Sequence, residues 1–247
     1  YRTSEAPDGA LPACAGPSCA AARLVGWPHA PGTGGTCARS VRIGIVDTGI
    51  NPDHEAFSGV RLLVHRLATD EDALEASGRQ HGTAVASILA GAAGSRSPGL
   101  LPDADVVAVD AFYRDAAGDE RTDAFLVARA LDFLASRDVA VVNLSLAGPP
   151  NAILERMVDL AADEAAVVAS AGNGGPRAAP AYPAAYRRVI AVAAIDGAAR
   201  PWRRSGRGPH VDLAAPGVEI WAAASISGAR PKTGTSFAAP FATAAAA

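Results

Sequence analysis

Lysine is almost missing from this chain: of its 22 basic residues, only Lys232 is a lysine. There is no polybasic cluster, and the formal net charge is −3. Nucleic acid and anionic lipid therefore gain no electrostatic hold, and neither is expected as a partner. The densest basic stretch, Arg203-Arg204 with Arg207, reads as a solvated loop. Long apolar runs are also lacking. The alanine-rich segment after Ser236 comes closest to a membrane span, and its shortness and Pro240 count against it. No signal peptide is visible, and the chain starts at Tyr1 without a methionine, the pattern of a processed or trimmed protein. Cysteine is scarce and confined to one end. Cys14, Cys19 and Cys37 allow one disulfide in any of three pairings, with one thiol left over. A staple in an N-terminal arm is the favoured reading and fits an exported protein. A metal site is disfavoured because no histidine sits at ligand spacing.

What remains is a globular composition, 49% hydrophobic and 19% charged over 247 residues. That length buries a full core in a single α/β domain. Residues 1–40, rich in Pro, Gly, Ala and Cys and without sustained periodicity, are expected to form an irregular arm. From Val41 to the end the texture is that of one domain. Val41 to Val46 is a short apolar strand, and similar strands recur at 105–109, 139–144, 166–171 and 189–193. Their β-branched, near-continuous apolarity suits a parallel sheet buried on both faces. Helical patterns lie between them at 81–93, at 122–136 with a Thr-Asp cap signal, and at 151–164 with a clear amphipathic face. Alternating strands and helices predict a three-layer α/β sandwich, a mainly parallel central sheet flanked by helices.

In such sheets functional side chains collect at the carboxyl ends of strands. Asp47 follows the first strand inside Asp47-Thr48-Gly49. Alone it reads equally well as a turn or cap residue. A nucleotide-binding turn fails, because neither glycine-rich phosphate fingerprint follows. His81 opens a helix as His81-Gly82-Thr83, and a small residue at 82 is expected to leave room for a substrate. Its plain alternative is a buried structural histidine. Ser236, in Gly234-Thr235-Ser236-Phe237-Ala238-Ala239-Pro240, starts an apolar helix, where serine is usually a cap. It also suits a nucleophile, with backbone N–H groups and the helix dipole nearby.

Together, and in this order, these motifs resemble the signatures of the subtilisin-like serine peptidases, from about Val41 to the C-terminus. The order Asp, His, Ser is that of the family and differs from those of chymotrypsin-like and α/β-hydrolase enzymes. The resemblance implies a serine endopeptidase acting through an acyl-enzyme, with Asp47, His81 and Ser236 as its triad. Ala169-Ser170-Ala171-Gly172-Asn173 is similar to the family's oxyanion-hole segment, implying that the Asn173 amide and the Ser236 N–H stabilise the tetrahedral intermediate. In that light Asn173 is more than a loop residue before Gly174-Gly175. Asn143-Leu144-Ser145-Leu146 is similar to the family's substrate-binding strand. Ser145, Leu146, Ala147 and Gly148 are therefore expected to form one wall of the substrate groove, with residues 118–121 opposite, and Ala169, Ser170, Ala171 and Gly172 to complete the primary specificity pocket. Ala147, where the family commonly has glycine, is expected to narrow that pocket towards small P1 residues.

The chain departs from the pattern in several places. Phe237 and Phe241 replace a methionine and a histidine common in the family, with no expected bearing on the triad. The stretch 92–101 looks shorter than the family's calcium loop and lacks its ligands, so that calcium site is not expected. Asp70, Glu71 and Asp72 read as a solvated acidic turn. No cofactor is required for the chemistry. Tyr182-Pro183 is expected to be cis. Only eleven residues follow Ser236, and missing packing beyond them is expected to loosen the serine. An inhibitory prosegment, a usual partner in the family, is not recognised within the first forty residues. A catalytically silent scaffold, and a peptide ligase or cyclase using the same acyl-enzyme, are the alternatives. A polypeptide is the expected substrate and export the expected location.

Overall fold

A computed structural model describes residues 17–27, 41–67 and 75–247. Its centre is a seven-stranded sheet, parallel at every pairing. In chain order its strands are β1 (Arg42–Asp47), β2 (Leu62–Arg66), β4 (Asp105–Asp110), β7 (Val141–Leu144), β8 (Ala166–Ser170), β9 (Ile190–Ile195) and β10 (Leu213–Pro216). In space they run β2-β4-β1-β7-β8-β9-β10. From β1 the chain goes first to the edge strand β2, returns with β4 to fill the place between them, then crosses to β7 on the other side of β1 and builds outward through β8, β9 and β10. The carboxyl ends of β1 and β7 thus flank the switch point, where such sheets open a crevice.

The pleat of β1 sorts its residues between two cores. Ile43 and Ile45 face the layer of α2 (Gln80–Ala90) and α5 (Thr235–Ala246), while Val46 faces α3 (Ala124–Ala135) and α4 (Ala152–Glu164). Gly44 lies where α3 comes closest, since a Cβ there would sit 2.9 Å from Leu134 Cδ1. Helix starts are encoded locally. Asp123 accepts from the N–H groups of Phe125 and Leu126, and Asn151 from those of Ile153 and Leu154, both at helix N-caps.

Two smaller sheets border the crevice. One is the hairpin of β11 (Ile220–Ala223) and β12 (Ala229–Lys232), packed on α2. The other joins β3 (Glu75–Ala76), β5 (Tyr113–Arg114) and β6 (Glu120–Arg121).

Several expectations need correction. Part of the first forty residues is helical: α1 (Pro17–Leu24) packs on β11, with Ala22 buried in the core. Cys19 is buried and disulfide-bonded, while Cys14 and Cys37 lie outside the described residues, as do Asp70, Glu71 and Asp72. The last helix is not short of packing. Thr235 through Ala244 are all buried, because α5 crosses β7, β8, β9 and β10 and leans on α2. The Tyr182–Pro183 peptide is cis, as expected. None of the described helices is long and apolar enough to cross a membrane.

Candidate active site

The site grows from the carboxyl end of β1. Asp47 is the last strand residue and is 2% exposed. A buried carboxylate needs donors. Asp47 Oδ1 accepts from the Thr48 N–H at 2.7 Å and lies 2.7 Å from His81 Nδ1, while its Oδ2 has no partner. The turn after Asp47 is clamped to the first turn of α2, where His81 sits. Gly82 N–H donates to Thr48 Oγ1 at 3.0 Å, and Asn51 N–H donates to Thr83 Oγ1 at 2.9 Å. A Cβ at Gly82 would lie 2.4 Å from Thr48 O and 2.8 Å from Gly49 O. Gly82 is therefore small to admit the Asp47 turn, which corrects the expectation that it makes way for substrate.

The His81 side chain is 35% exposed, so one face of the ring is open. Burial lowers the imidazole pKa, but the charge and hydrogen bond of Asp47 outweigh burial, and the net shift is upward from 6.5. With Nδ1 turned to Asp47, Nε2 is the nitrogen left for a reacting group. The ring also packs 5.4 Å, centroid to centroid, from Phe237. Phe237 thus packs on His81, although no bearing on the candidate triad was expected of it.

A second buried acid stands beside the first. Asp110 is the register partner of Asp47 on β4. Burial raises its pKa, against hydrogen bonds from Ser77 and the Phe112 N–H. Ser77 Oγ donates to Asp110 Oδ1 at 2.8 Å and accepts from the Gly49 N–H at 2.8 Å, so Asp110 braces the same turn. The sequence carries a signal for it, since β4 ends in Val-Asp just as β1 does.

Ser236 is the second residue of α5 and is 8% exposed. Its Oγ donates to the Ser145 carbonyl at 3.2 Å rather than to His81. Beside it, Asn173 spends its Oδ1 on Thr235, accepting from the backbone N–H at 3.0 Å and from Oγ1 at 2.9 Å. That fixes the amide and leaves Nδ2 as its free end. The first-turn N–H of Ser236 has no partner within the helix and is the other donor at this end.

The stretch after β7 runs past Ser236. Ser145 is buried, Leu146 partly so, and Ala147 and Gly148 are exposed. Gly148 pairs with Tyr182 in an antiparallel bridge, N–H to carbonyl in both directions. Leu146, Ala147 and Gly148 line a cavity of about 290 Å³ with Thr122, Val127 and Tyr182. Ala169 and Ser170 belong to β8, and with Ala171 and Gly172 they are buried, Ala169 inside the core under α4. Those four can supply only the floor of a pocket, not its rim. Across the groove, Glu120 of β6 accepts from the Gly78 N–H at 2.7 Å and holds Arg114.

Comparison with known proteins gives the family and the fold. The profile of the subtilase family, peptidase S8, matches residues 38–247. Thermitase of Thermoactinomyces vulgaris is 33% identical over 218 residues, which cover 87% of this chain and 74% of that protein. Subtilisin BL of Lederbergia lenta is 32% identical over 211 residues, with 83% and 74% covered. Among solved structures, the self-cleaved protease domain of PatA superimposes with a TM-score of 0.73 at 29% identity, covering 83% of this chain and 78% of that one. A cold adapted subtilisin-like serine proteinase gives 0.73 at 27%, covering 86% and 76%.

Proposed function

The chain belongs to the subtilase family, and on that premise we propose that Asp47, His81 and Ser236 are the triad with which it hydrolyses peptide bonds as a serine endopeptidase. The observation that carries the assignment is the buried Asp47 carboxylate 2.7 Å from His81 Nδ1, on the turn that clamps α2. It orients the ring, favours the tautomer with Nε2 free, and stabilises the imidazolium once formed. Ser236 then attacks by turning its Oγ from Ser145 O towards His81. As Oγ bonds to the scissile carbonyl carbon, its proton passes to Nε2 and the carbonyl π electrons move to oxygen. The resulting oxyanion sits at the start of α5, where the Asn173 amide and the Ser236 N–H are the donors and the helix dipole adds to them. Collapse expels the amine, which takes the proton from His81. Water, deprotonated by the same nitrogen, releases the acyl group and restores Ser236.

Substrate binds as an extended strand between residues 145–148 and residues 118–121, with Ala147 at the rim favouring small P1 side chains. Ala147 is exposed and lines the cavity beside this strand, which supports that reading. The substrate is polypeptide, and export is the proposed location, supported by the disulfide at Cys19. The test is a fluorophosphonate probe applied to the protein and to its Ser236→Ala variant, followed by cleavage of a peptide library. Labelling of the native protein alone, with peptide cleavage, is expected. A folded native protein that takes no label is a silent scaffold instead, and label without net hydrolysis points to ligation.

A further inference from the structure

Lys232, the one lysine of the chain, lies at the end of β12, four residues before Ser236. It is partly buried and stands opposite buried Ile220 in the hairpin. Five arginines, Arg61, Arg114, Arg121, Arg188 and Arg200, hold carboxylates. Lys232 holds none of the described carboxylates, and its ammonium makes no hydrogen bond among the described residues. Burial, and then the like charge of Arg230, lower its pKa to about 8. At neutral pH it is therefore still an ammonium, poorly solvated and without a counter-ion. Such a group gains most from an anion brought to it.

Its position says which part of a ligand would supply that anion. Lys232 on β12 and Glu120 on β6 both act on the charge of His81, and the two strands belong to different sheets. If the acyl part of the substrate lies between 145–148 and β6, as proposed above, its leaving part has to depart elsewhere. It must also pass His81, which protonates the amine. The hairpin of β11 and β12 packs on α2, the helix that carries His81, and leads directly into Ser236, so it is the element nearest to that departing part.

We propose that Lys232 is a carboxylate-binding site on the leaving-group side of the scissile bond, selecting peptides with a carboxylate within the first residues after the cut. The carboxylate is either an Asp or Glu side chain or the C-terminus of a short peptide. The inference rests on the triad reading, and its test separates the two.

Fluorogenic peptides identical up to the cut are compared in pairs, Asp against Asn at each of the first two positions after it. A further pair ends two residues beyond the cut as free acid or as amide. Each is run with the native protein, Lys232→Met and Lys232→Glu. The native protein is expected to favour the carboxylate member of at least one pair about fivefold in kcat/KM, the scale of a half-exposed ion pair. Lys232→Met brings that ratio to near one, and Lys232→Glu takes it below one. Because each ratio is internal to one variant, a partly misfolded preparation does not distort it. The Asp pairs and the free-acid pair tell the two sources apart. Native ratios near one throughout, or a ratio that survives in Lys232→Met, overturn the inference alone. A protein that cleaves none of the peptides and takes no fluorophosphonate overturns the triad reading, and this one with it.

Discussion

Ser145 and Ser236 are hydrogen-bonded to each other twice: Ser145 Oγ donates to the Ser236 carbonyl at 2.8 Å, and Ser236 Oγ donates to the Ser145 carbonyl at 3.2 Å. Pro240 explains the first bond. In a helix the carbonyl of residue 236 would accept from the N–H of residue 240, and proline has none. The carbonyl is buried, so another donor has to serve it. The second bond parks the proposed nucleophile beside the strand that is proposed to bind substrate.

Replacing Ser145 by Ala is accordingly expected to leave a buried carbonyl without a partner, at a cost of about 1–3 kcal/mol of stability. It also removes the tie that fixes the start of α5. With Ser236 free to shift, kcat should fall by roughly 10- to 100-fold while KM changes little. Denaturant unfolding and steady-state kinetics on one small peptide read both effects. An unchanged kcat would mean that the bond positions nothing.

The same tie continues inward. Asn143 Nδ2 donates to Ser145 Oγ at 2.9 Å, and Thr243, fully buried in α5, donates to Asn143 Oδ1 at 2.9 Å. Thr243→Val keeps the shape and strands the amide oxygen, so a loss of about 1–3 kcal/mol is expected, with Thr243→Ser recovering most of it. Thermal melts of the two variants decide this. Equal melting temperatures would show that packing, not the hydrogen bond, holds Thr243.

The triad candidates were legible in the sequence because each sits in a short local motif at a strand end or helix start. The central strands were also legible, since β1, β4, β7, β8 and β9 are near-continuous apolar runs. Edge strands β2 and β10 were not, because His65 and Arg66 in one and Leu213 to Pro216 in the other lack that pattern. Helix α1 was missed because its eight residues carry a small apolar face that gains meaning only against β11. Asp110, Ser77 and Thr243 act through partners between 28 and 100 residues away, which no local pattern reveals. The role of Gly82 was misread for the same reason: its constraint is the backbone of Thr48, not a ligand.

The raised pKa of His81 gives a pH dependence. In the proposed mechanism only the neutral imidazole can accept the Ser236 proton, so kcat/KM should climb with pH, and its midpoint should lie above 6.5. Asp47→Asn removes the charge that raises it. Burial is then the leading influence, and the residual activity should have its midpoint shifted to lower pH. A pH series on a neutral peptide tests both, and undiminished native activity at pH 4 would rule His81 out as the base.

Asn173→Ala should spare binding and injure turnover. Its Oδ1 is already committed to Thr235, so the amide N–H has little to do until an oxyanion forms. The expected loss is about 10²–10³-fold in kcat, the cost of one oxyanion donor in subtilisin carried over by likeness. A rise in KM with kcat intact would instead make Asn173 a substrate-binding residue. Because Thr235 loses an acceptor as well, the comparison should include Thr235→Val, which breaks the side-chain contact while keeping the amide.

Gly82→Ala tests the clamp between the Asp47 turn and α2. The added methyl would fall 2.4 Å from Thr48 O and 2.8 Å from Gly49 O, both backbone atoms that no rotamer change can move aside. Either α2 slides back or the turn opens. In both cases the 2.7 Å separation of Asp47 Oδ1 and His81 Nδ1 is lost, and with it the fixed tautomer. Overpacking of this kind costs about 1–3 kcal/mol, so most of the protein should still be folded at 25 °C. Activity should fall much further than stability, by about 10²-fold or more, since misplacement near 1 Å is enough. Circular dichroism melts beside kcat/KM separate the two quantities. A variant that melts early yet keeps native turnover per folded molecule would show that His81 is held from elsewhere.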